Sequence, residues 1–556
     1  MTNKEIANAF SLLAKLTDVN GGDGFKSKSY SATAFNIEKL PMQLNNIPAE
    51  KISTLKGIGA SSAKKIAELI TTGKLAQLEE LLFSTPEGVA EMLKIKGLGP
   101  KKINTIWKEM QLESVGELLY ACKENRLKFY KGFGENTQQT ISDNIEFYLN
   151  SKGNFLYAQT ILVAEQLQSL LEKLFAGKRI FVTGAFARQL EIITEIEFVI
   201  EENFSVAEKI LSQQDGFKFQ EKNEEYLAYK MLAGIQIKIY PAEGNIIEKL
   251  IETSSSESFF SALQSYSHGQ VISGDEKEYF TSRNLPHIPP FLREDENILT
   301  KSGDFSAHLH HTDVKGLIHC HSNWSDGNNT IEEMALGAIE RGMEYLAISD
   351  HSKTATYAQG LREEQIQAQH EYIDELNEKL NPFKIFKSIE SDILGDGSLD
   401  YPDKILSTFD LVIASVHSNL KMTEEKAMTR LLAAIENPYT AILGHMTGRL
   451  LLSRPGYPLD YKKIIDACAA NSVVIELNAN PRRLDMDWRQ IQYALQKGVF
   501  ISINPDAHSI KGIDDIRYGV FSAQKGMLPK EKNLSSFSLN DFEKFITERK
   551  KLKGTE

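Results

Sequence analysis

The chain has 556 residues, with 63 lysines and arginines against 75 aspartates and glutamates, and a formal net charge of −12. This acidic balance excludes a uniformly basic nucleic-acid coat, and no apolar run approaches the ~20 residues of a membrane span. The length suits about three or four domains. The N-terminus lacks a signal-peptide pattern and the three cysteines lie far apart, which predicts a reducing cytoplasm and no membrane partner.

A Gly-apolar-Gly turn recurs in the first part of the chain, where the pattern predicts short helices. It occurs at residues 57–59, again at 97–99 and more loosely at 132–134, and a lysine pair follows the first two copies only. Such a turn exposes backbone amides at a helix N-terminus, where phosphate binds, so these two copies predict helix-hairpin-helix modules that hold DNA without reading its sequence. The alternative is a glycine-capped helix hairpin without a ligand, and the third copy fits this. The candidate DNA contacts are Gly57, Gly59, Lys64, Lys65, Gly97, Gly99, Lys101 and Lys102.

The front resembles the lyase-like and fingers subdomains of family X DNA polymerases, and residues 25–35 resemble the early helix of that family. The next segment resembles the family's palm, because an apolar strand ends at Gly184 and an arginine, Arg188, follows. In the family a serine follows this glycine and a second arginine accompanies the first. Here Ala185 stands in the serine's place, and only Arg188 remains.

The catalytic carboxylates of this palm also differ from the family pattern. The family places two aspartates at i and i+2 and a third on a later strand, where they hold two magnesium ions. The corresponding residues here are Glu195, Glu197 and Lys238, so an ammonium group replaces one metal ligand. Magnesium demands strict ligand geometry, so this degenerate site predicts that DNA synthesis is lost.

From residue 315 onward, short apolar runs alternate with helical patterns, which predicts a parallel sheet, most simply a closed (β/α)7 barrel. The runs are 316–321, 345–350, 384–389, 411–416, 441–443, 472–477 and 500–504. Histidines and acids fall in or just after these runs, and the carboxyl ends of barrel strands meet at one face. The spacing therefore predicts a multinuclear metal cluster with nine potential ligands: His319, His321, Asp326, His351, Glu390, His417, His445, Asp506 and His508.

These motifs resemble the polymerase and histidinol phosphatase (PHP) superfamily, which binds up to three metal ions. The resemblance implies a first ion held by His319, His321, Glu390 and Asp506. It implies a second ion that shares Glu390 and takes His417 and His445, and a third held by Asp326, His351 and His508. By contrast, His308, His310 and His311 precede the first barrel strand, and we interpret them as lying outside the cluster.

Imidazole and carboxylate ligands without thiolate favour manganese, zinc or iron, and such ions activate water for phosphoryl transfer. Cys320 alternates away from the two histidines that flank it, which predicts a packing role. Four cations near the motifs are candidates for holding substrate phosphate: Lys353, Arg449, Arg482 and Arg483. The predicted catalytic residues are His319, His321, Glu390, Asp506, Arg449 and Arg483.

The order of these modules resembles bacterial family X DNA polymerases over essentially the whole chain. We predict helical domains at 1–85 and 86–150, a degenerate palm with a shortened thumb at 151–295, a linker at 296–314 and the barrel at 315–556. The resemblance implies a DNA-repair enzyme whose barrel is a metal-dependent 3′-to-5′ exonuclease, sometimes also an abasic-site endonuclease or 3′-phosphatase, and we predict a monomer. The alternatives are an active polymerase with an editing barrel, a non-catalytic DNA-binding scaffold, and a phosphatase of small molecules such as histidinol phosphate.

Overall fold

The structure is a computed structural model that describes residues 1–40, 42–150, 153–231, 234–266, 274–301, 303, 305 and 308–555. These residues form two units, Met1–Tyr148 and Leu149–Glu556. Among the described helices, none has the length and apolar character needed to cross a membrane. The four predicted domain boundaries stay predictions.

The first unit is helical. Its first helix has a capping box, in which Thr2 and Glu5 satisfy amide groups at the helix start, and its buried face carries Ile6, Phe10 and Leu13. The helices are α1 (Asn3–Val19), α2 (Gly24–Glu38), α3 (Ala49–Ile52), α4 (Ala60–Thr72), α5 (Ala76–Ser84), α6 (Glu87–Met92), α7 (Pro100–Lys108), α8 (Val115–Lys123) and α9 (Glu135–Asn150), whose last residues enter the second unit.

The second unit begins with a mixed α/β region. Its five-stranded sheet has the order β2-β4-β7-β6-β5, in which only β4 and β7 are parallel, and β1 and β3 form a separate antiparallel pair. The strands are β1 (Phe155–Leu156), β2 (Ile180–Thr183), β3 (Ile192–Ile193), β4 (Glu195–Ile200), β5 (Phe217–Lys222), β6 (Leu227–Met231) and β7 (Gln236–Pro241). The helices are α10 (Tyr157–Leu174), α11 (Gly184–Ala187), α12 (Phe204–Leu211), α13 (Ile246–Thr253), α14 (Glu257–Gln264) and α15 (Glu276–Thr281).

The remainder of the second unit is a barrel of parallel strands that pair in sequence order. The last strand returns to the first at a bridge between Cys320 and Ala507, where His321 N donates to Ala507 O at 2.9 Å. The barrel is therefore nearly closed. Its strands are β8 (Gly316–Cys320), β9 (Tyr345–Ile348), β10 (Lys384–Asp392), β11 (Leu411–Ser415), β12 (Thr440–Leu443), β13 (Val474–Asn478) and β14 (Ile501–Asn504).

Helices surround this barrel and cover its apolar strands. The helices are α16 (Ile331–Glu340), α17 (Glu363–Leu380), α18 (Asp403–Leu406), α19 (Glu424–Glu436), α20 (Tyr461–Asn471), α21 (Ile491–Gln496), α22 (Ile516–Lys525) and α23 (Leu539–Lys553). At the amino ends of the strands, Phe542 of α23 stacks on Tyr345 with ring centroids 4.5 Å apart. This end is sealed by packing, and the polar residues lie at the opposite end.

These features confirm the predicted fold class: a helical front, a mixed α/β middle and a seven-stranded parallel barrel. Each of the seven predicted apolar runs contains a strand, with ends that differ by at most a few residues. Cys320 is fully buried in an apolar cluster with Ile348 and Ala507, as its alternation predicts. Burial raises the pKa of the Cys320 thiol to about 12, which suits a packing role.

Candidate functional site

The nine predicted metal ligands converge at the carboxyl end of the barrel. His319 and Glu390 lie within β8 and β10, and the other seven follow β8, β9, β11, β12 or β14 directly or within a few residues. Eight of the nine are buried, and the side chain of His417 is 9% exposed. Such a concentration of ionisable groups in a protein interior is costly unless the groups are paired or bind metal.

Glu390 lies at the centre of this cluster. Its Oε1 is 2.9 Å from His445 Nε2 and 3.1 Å from His417 Nε2. Its Oε2 is 3.0 Å from His351 Nδ1 and 3.5 Å from His319 Nε2. The two carboxylate oxygens thus face different histidines, which is the arrangement that a bridging carboxylate needs.

Three overlapping groups among the described residues offer ligand atoms within 4.8 Å of one another. They are His319, His321 and Asp506; then His351, Glu390 and His417; and then His321, Asp326, His351 and His508. The third group contains the whole predicted third-ion set, with His321 added. Because His321 and His351 each belong to two groups, the geometry supports a shared cluster, and the division of ligands among ions stays a prediction.

The residues fit a metal cluster by a second criterion, which is the state of their buried atoms. His319 Nε2, Glu390 Oε2 and both ring nitrogens of His351 make no hydrogen bond to another described residue. Buried polar atoms without hydrogen bonds are rare in folded proteins, and coordination satisfies them. The mix of imidazole and carboxylate suits manganese, zinc or iron.

The charges of the cluster are strongly coupled. Burial alone would lower the pKa of His319, but the carboxylates of Glu476, Asp506 and Glu390 outweigh burial and raise the pKa well above its usual value. Burial and the nearby His508 and His351 lower the pKa of His321 to about 4. His321 is therefore a neutral imidazole near pH 7, the form that binds metal.

Two carboxylates that the sequence did not single out orient the histidine ligands. Glu476 Oε2 lies 2.7 Å from Nδ1 of His319, and Asp392 Oδ1 lies 2.5 Å from Nδ1 of His417. Each contact orients its histidine so that Nε2 points towards Glu390. Hydrogen-bond partners of metal-ligating histidines commonly have this role. A sequence signal existed for both acids: Asp392 follows Glu390 by two residues on one strand, and Glu476 lies in the one apolar run without a predicted ligand.

The predicted phosphate-binding cations occupy different places. Arg483 is buried, with its Nε 3.8 Å from Oδ2 of Asp506, and thus lies at the cluster. Arg449 lies behind it, because its Nε donates to the Arg483 carbonyl at 2.9 Å and its Nη1 to Asp487 Oδ2 at 2.8 Å. Lys353 pairs with Glu363 at 3.3 Å. The structure brings Arg483 to the ligands, whereas Arg449 holds the backbone of the Arg483 segment.

In the mixed α/β region, Glu195, Glu197 and Lys238, which the resemblance matches to the family's metal-binding carboxylates, form a network of internal contacts. Lys238 Nζ donates to Glu195 Oε1 at 2.8 Å, and the Tyr240 hydroxyl donates to Glu197 Oε1 at 2.9 Å. The Ala185 amide donates to Glu197 Oε2 at 3.3 Å. Burial, with a contribution from Glu195, raises the pKa of Glu197. Glu195 and Glu197 therefore each have protein partners within this region.

Arg188, which the family resemblance matches to one of the palm's two arginines, is also engaged within the protein. Its Nε pairs with Glu294 Oε1 at 2.7 Å, and its Nη1 donates to the carbonyls of Thr253 and Ser255 at 3.3 and 3.2 Å. These contacts join the end of α11 to the end of α13 and to the segments that follow it. Arg188 thus has a structural role in this arrangement.

The glycine turns of the first unit have the backbone that their sequence predicts. Gly57 and Gly97 have φ of +80° and +88°, and Gly59 and Gly99 directly precede α4 and α7. The positive φ at Gly57 favours glycine, and a Cβ there would also displace Nδ2 of Asn36, which would lie 2.2 Å away. The third copy shares the geometry, since Gly132 has φ of +91° and α9 begins at Glu135.

The lysines that follow the turns divide into two kinds. Lys64 and Lys101 are exposed, whereas Lys65 and Lys102 are half-buried, with Nζ 6.0 Å from the ring centroid of Tyr30 and 5.8 Å from that of Phe133. The neighbouring helix α2 and its C-cap residue Lys39 carry an exposed stripe at helical spacing: Phe25, Lys28, Ala32, Phe35 and Lys39. Aromatic rings with interleaved lysines are typical of surfaces that bind single-stranded nucleic acid.

His308, His310 and His311 lie outside the metal-compatible groups of the described residues. The rings of His308 and His310 are 4.6 Å apart, and the ring of His308 lies edge-on to Phe291. Their interpretation as residues outside the cluster therefore agrees with the geometry.

Comparisons with known proteins place both ends of the chain in described families. Residues 1–75 match the family described as "Helix-hairpin-helix domain", and residues 318–480 match the "PHP domain" family. Two relatives named probable phosphatase align with the barrel part. The one from Caldanaerobacter subterraneus is 27% identical over 240 residues, which are 41% of this chain and 88% of the relative. The one from Syntrophotalea carbinolica is 32% identical over 169 residues, which are 29% of this chain and 64% of the relative.

A third relative aligns from end to end. It is the Bacillus subtilis (strain 168) protein named "DNA polymerase/3′-5′ exonuclease PolX", which is 30% identical over 572 aligned residues, 98% of this chain and 99% of the relative. The turns of the first unit and the ligand set at the barrel mouth thus occur within one full-length similarity. The chain therefore belongs to the PolX family of DNA polymerases, with a helix-hairpin-helix domain at its front and a PHP domain in its C-terminal half.

Proposed function

We propose that this chain is a DNA-repair phosphodiesterase that removes nucleotides from DNA 3′ ends at the PHP barrel, and that it no longer synthesises DNA. The observation that carries this proposal is the cluster of nine candidate ligands around Glu390, eight of which are buried. The exonuclease named in the Bacillus subtilis relative has the corresponding chemistry.

Each group at the barrel mouth has a task in phosphodiester hydrolysis. Divalent ions bound to these ligands supply a water of lowered pKa and neutralise phosphoryl charge. Arg483, next to Asp506, is placed to bind a phosphate oxygen through its forked donors. Glu476 and Asp392 accept the Nδ1 protons of His319 and His417, which keeps the Nε2 atoms available as ligands. No side-chain nucleophile is needed.

The loss of synthesis is supported by the contacts of the palm. Lys238 lies directly opposite Glu197 in the β4–β7 register and forms an ion pair with Glu195, so a cation occupies the middle of the carboxylate group. A magnesium ion at the same place would meet this ammonium charge. The alternative of an active polymerase requires that Lys238 leave both carboxylates.

DNA binding is proposed for the first unit. The glycine turns at residues 57–59 and 97–99 present helix N-termini beside exposed Lys64 and Lys101, a combination that suits backbone phosphates. Contacts of this kind carry no sequence information, so we propose binding without sequence preference. The scaffold alternative would leave the ligand cluster of the barrel unexplained.

A second candidate activity is removal of a phosphate monoester, and it is favoured by the probable phosphatases that align with the barrel. The same ligands suit both reactions, because each involves attack on a phosphorus atom. If the substrate is a 3′-phosphate on DNA, the proposed DNA-binding surface also serves this activity. If the substrate is a small molecule, the hairpins have no role in it.

A primer annealed to a longer template tests the proposal in one reaction. With manganese or magnesium and all four deoxynucleotides, we expect shortening of a 5′-labelled primer and no extension. A second primer that ends in a 3′-phosphate measures the monoester activity. Extension that disappears in Glu197→Ala would contradict the loss of synthesis, and an unchanged primer would contradict the exonuclease.

A further inference from the structure

We infer that Glu191, in the palm, positions Arg483 at the metal cluster by acting through Arg449. The palm would then remain part of the enzyme as a support for the nuclease loop. This inference rests on the proposed function, because Arg483 matters for rate only if the barrel hydrolyses phosphate esters. It assigns a positioning role to a residue far from the metal ligands in sequence.

The segment that presents Arg483 is a loop between β13 and α21. It is tied at its ends by two backbone hydrogen bonds, from Asn478 N to Asp485 O at 2.6 Å and from Met486 N to Glu476 O at 3.1 Å. Between these ties, Leu451 N donates to the Arg482 carbonyl at 2.7 Å. The loop therefore takes its shape partly from the segment that contains Arg449.

Arg449 is the residue on which this loop depends. Its Nε donates to the carbonyl of Arg483 at 2.9 Å, and its Nη2 donates to the carbonyl of Leu484. Its Nη1 pairs with Asp487 Oδ2 at 2.8 Å. One guanidinium group thus fixes three points of the loop, and a shift of this group moves the backbone that carries the Arg483 side chain.

Glu191 faces the same guanidinium from the palm. Its Oε1 lies 4.0 Å from Nη2 of Arg449 and 3.7 Å from Nη1 of Arg489. The side chains of Glu191 and Arg449 are only 13% and 14% exposed, so solvent screens their attraction weakly. Arg449 is therefore held between Asp487 of its own loop and a carboxylate of the palm.

The palm packs against the barrel through contacts that can transmit the restraint on Arg449. The Tyr157 amide donates to the Glu191 carbonyl at 3.1 Å, and the Tyr157 ring stacks on Phe186 and lies edge-on to Phe521 of α22, with centroids 4.8 and 5.7 Å away. Lys525 of α22 donates to the carbonyl of Arg188 at 2.7 Å. α11 and its C-cap residue Arg188 therefore form a docking element for the barrel.

The experiment compares Glu191→Gln with Glu201→Gln in the full chain loaded with manganese. Glu201 forms a bidentate ion pair with Arg179 inside the palm, and its removal serves as the matched control. For Glu191→Gln we expect kcat on a labelled single strand to fall about tenfold, because small displacements of catalytic groups are costly. KM, bound manganese and Tm should stay close to wild type. Glu191→Asp keeps the charge and should restore at least half of the lost rate.

Hydrogen exchange of residues 482–487 gives a readout that does not depend on activity. We expect faster amide exchange of this loop in Glu191→Gln than in wild type or Glu201→Gln. Unchanged loop exchange, or equal losses of kcat in the two glutamine variants, would overturn the inference. If wild type hydrolyses no DNA while loop exchange still rises in Glu191→Gln, the proposed function fails and the positioning of the loop by Glu191 stands.

Discussion

Nδ1 of His319 lies 2.7 Å from Oε2 of Glu476, and both side chains are fully buried. This contact joins the first strand of the barrel to the sixth and leaves Nε2 of His319 directed towards Glu390 and Asp506. Glu476 also accepts hydrogen bonds from Asn504 Nδ2 at 2.8 Å and from the His445 amide at 3.1 Å. One carboxylate therefore orients several parts of the ligand cluster.

The first prediction concerns this carboxylate. Glu476→Gln keeps the size of the side chain but removes the charge that holds the Nδ1 proton of His319. Changes of this kind typically weaken metal binding about 10- to 100-fold, and we expect the same here. Titration of the metal-free protein with manganese measures the effect. Glu543→Gln, an exposed change on α23 at the other end of the barrel, serves as the control, and equal affinity in the two variants would contradict the assigned role.

The second prediction concerns the palm. Lys238→Met should lower the free energy of unfolding by about 1 kcal/mol, because it breaks a half-buried ion pair and leaves Glu195 without its cation. Adding Glu195→Gln should recover part of this loss, since the uncompensated charge is then absent. Chemical denaturation of the single and double variants measures both steps. A Lys238→Met protein as stable as wild type would show that the ion pair is not structural.

The third prediction concerns the hairpin lysines. Changing Lys64, Lys65, Lys101 and Lys102 to alanine should weaken binding to DNA of every sequence alike. The slope of log affinity against log salt should become shallower by about 0.7 to 0.9 for each phosphate that these lysines no longer neutralise. Fluorescence anisotropy with single-stranded and duplex DNA at several salt concentrations measures both effects. Two exposed lysines of α23, Lys544 and Lys551, provide an alanine control with an unchanged slope.

The fourth prediction concerns Lys525. Burial lowers the pKa of this residue from the usual 10.5 to about 8. Between these values the unfolded chain binds more protons than the folded one, so this residue adds stability as the pH rises from about 8 to 10.5. From pH 7 to pH 11, wild type should gain about 3 kcal/mol of unfolding free energy relative to Lys525→Met. Denaturation of both proteins at the two pH values measures the difference. A constant difference would show that the pKa is not lowered.

The barrel and its candidate ligands could be predicted because these ligands occur in or soon after the apolar runs that form its strands. Each ligand comes in or soon after an apolar run, and parallel strands bring such positions to one face. The family resemblance marked Glu390, whereas no motif marked Glu476, although it lies in the one apolar run without a predicted ligand. The sequence also could not separate Arg449 from Arg483, since both lie in loops and only the fold decides which guanidinium reaches Asp506.

The sequence patterns could not predict which residues of distant segments are in contact. The pairing of Lys238 with Glu195 depends on the register of β4 and β7, which the alternation of residues does not fix. The bond from Lys525 to the Arg188 carbonyl joins residues 337 positions apart and depends on how the barrel packs against the palm. The sequence singled out Arg188 by its resemblance to the family's palm, but its partner Glu294 became visible only in the fold.

The most direct test follows a 5′-labelled single strand with manganese, using wild type, His319→Ala and His311→Ala. His311 is an exposed histidine outside the metal-compatible groups of the described residues and is the matched control. We predict that wild type and His311→Ala shorten the strand from its 3′ end and that His319→Ala does not. Chelation of the metal should abolish shortening by wild type, and added manganese should restore it. Equal degradation by wild type and His319→Ala would contradict the assignment of activity to this cluster.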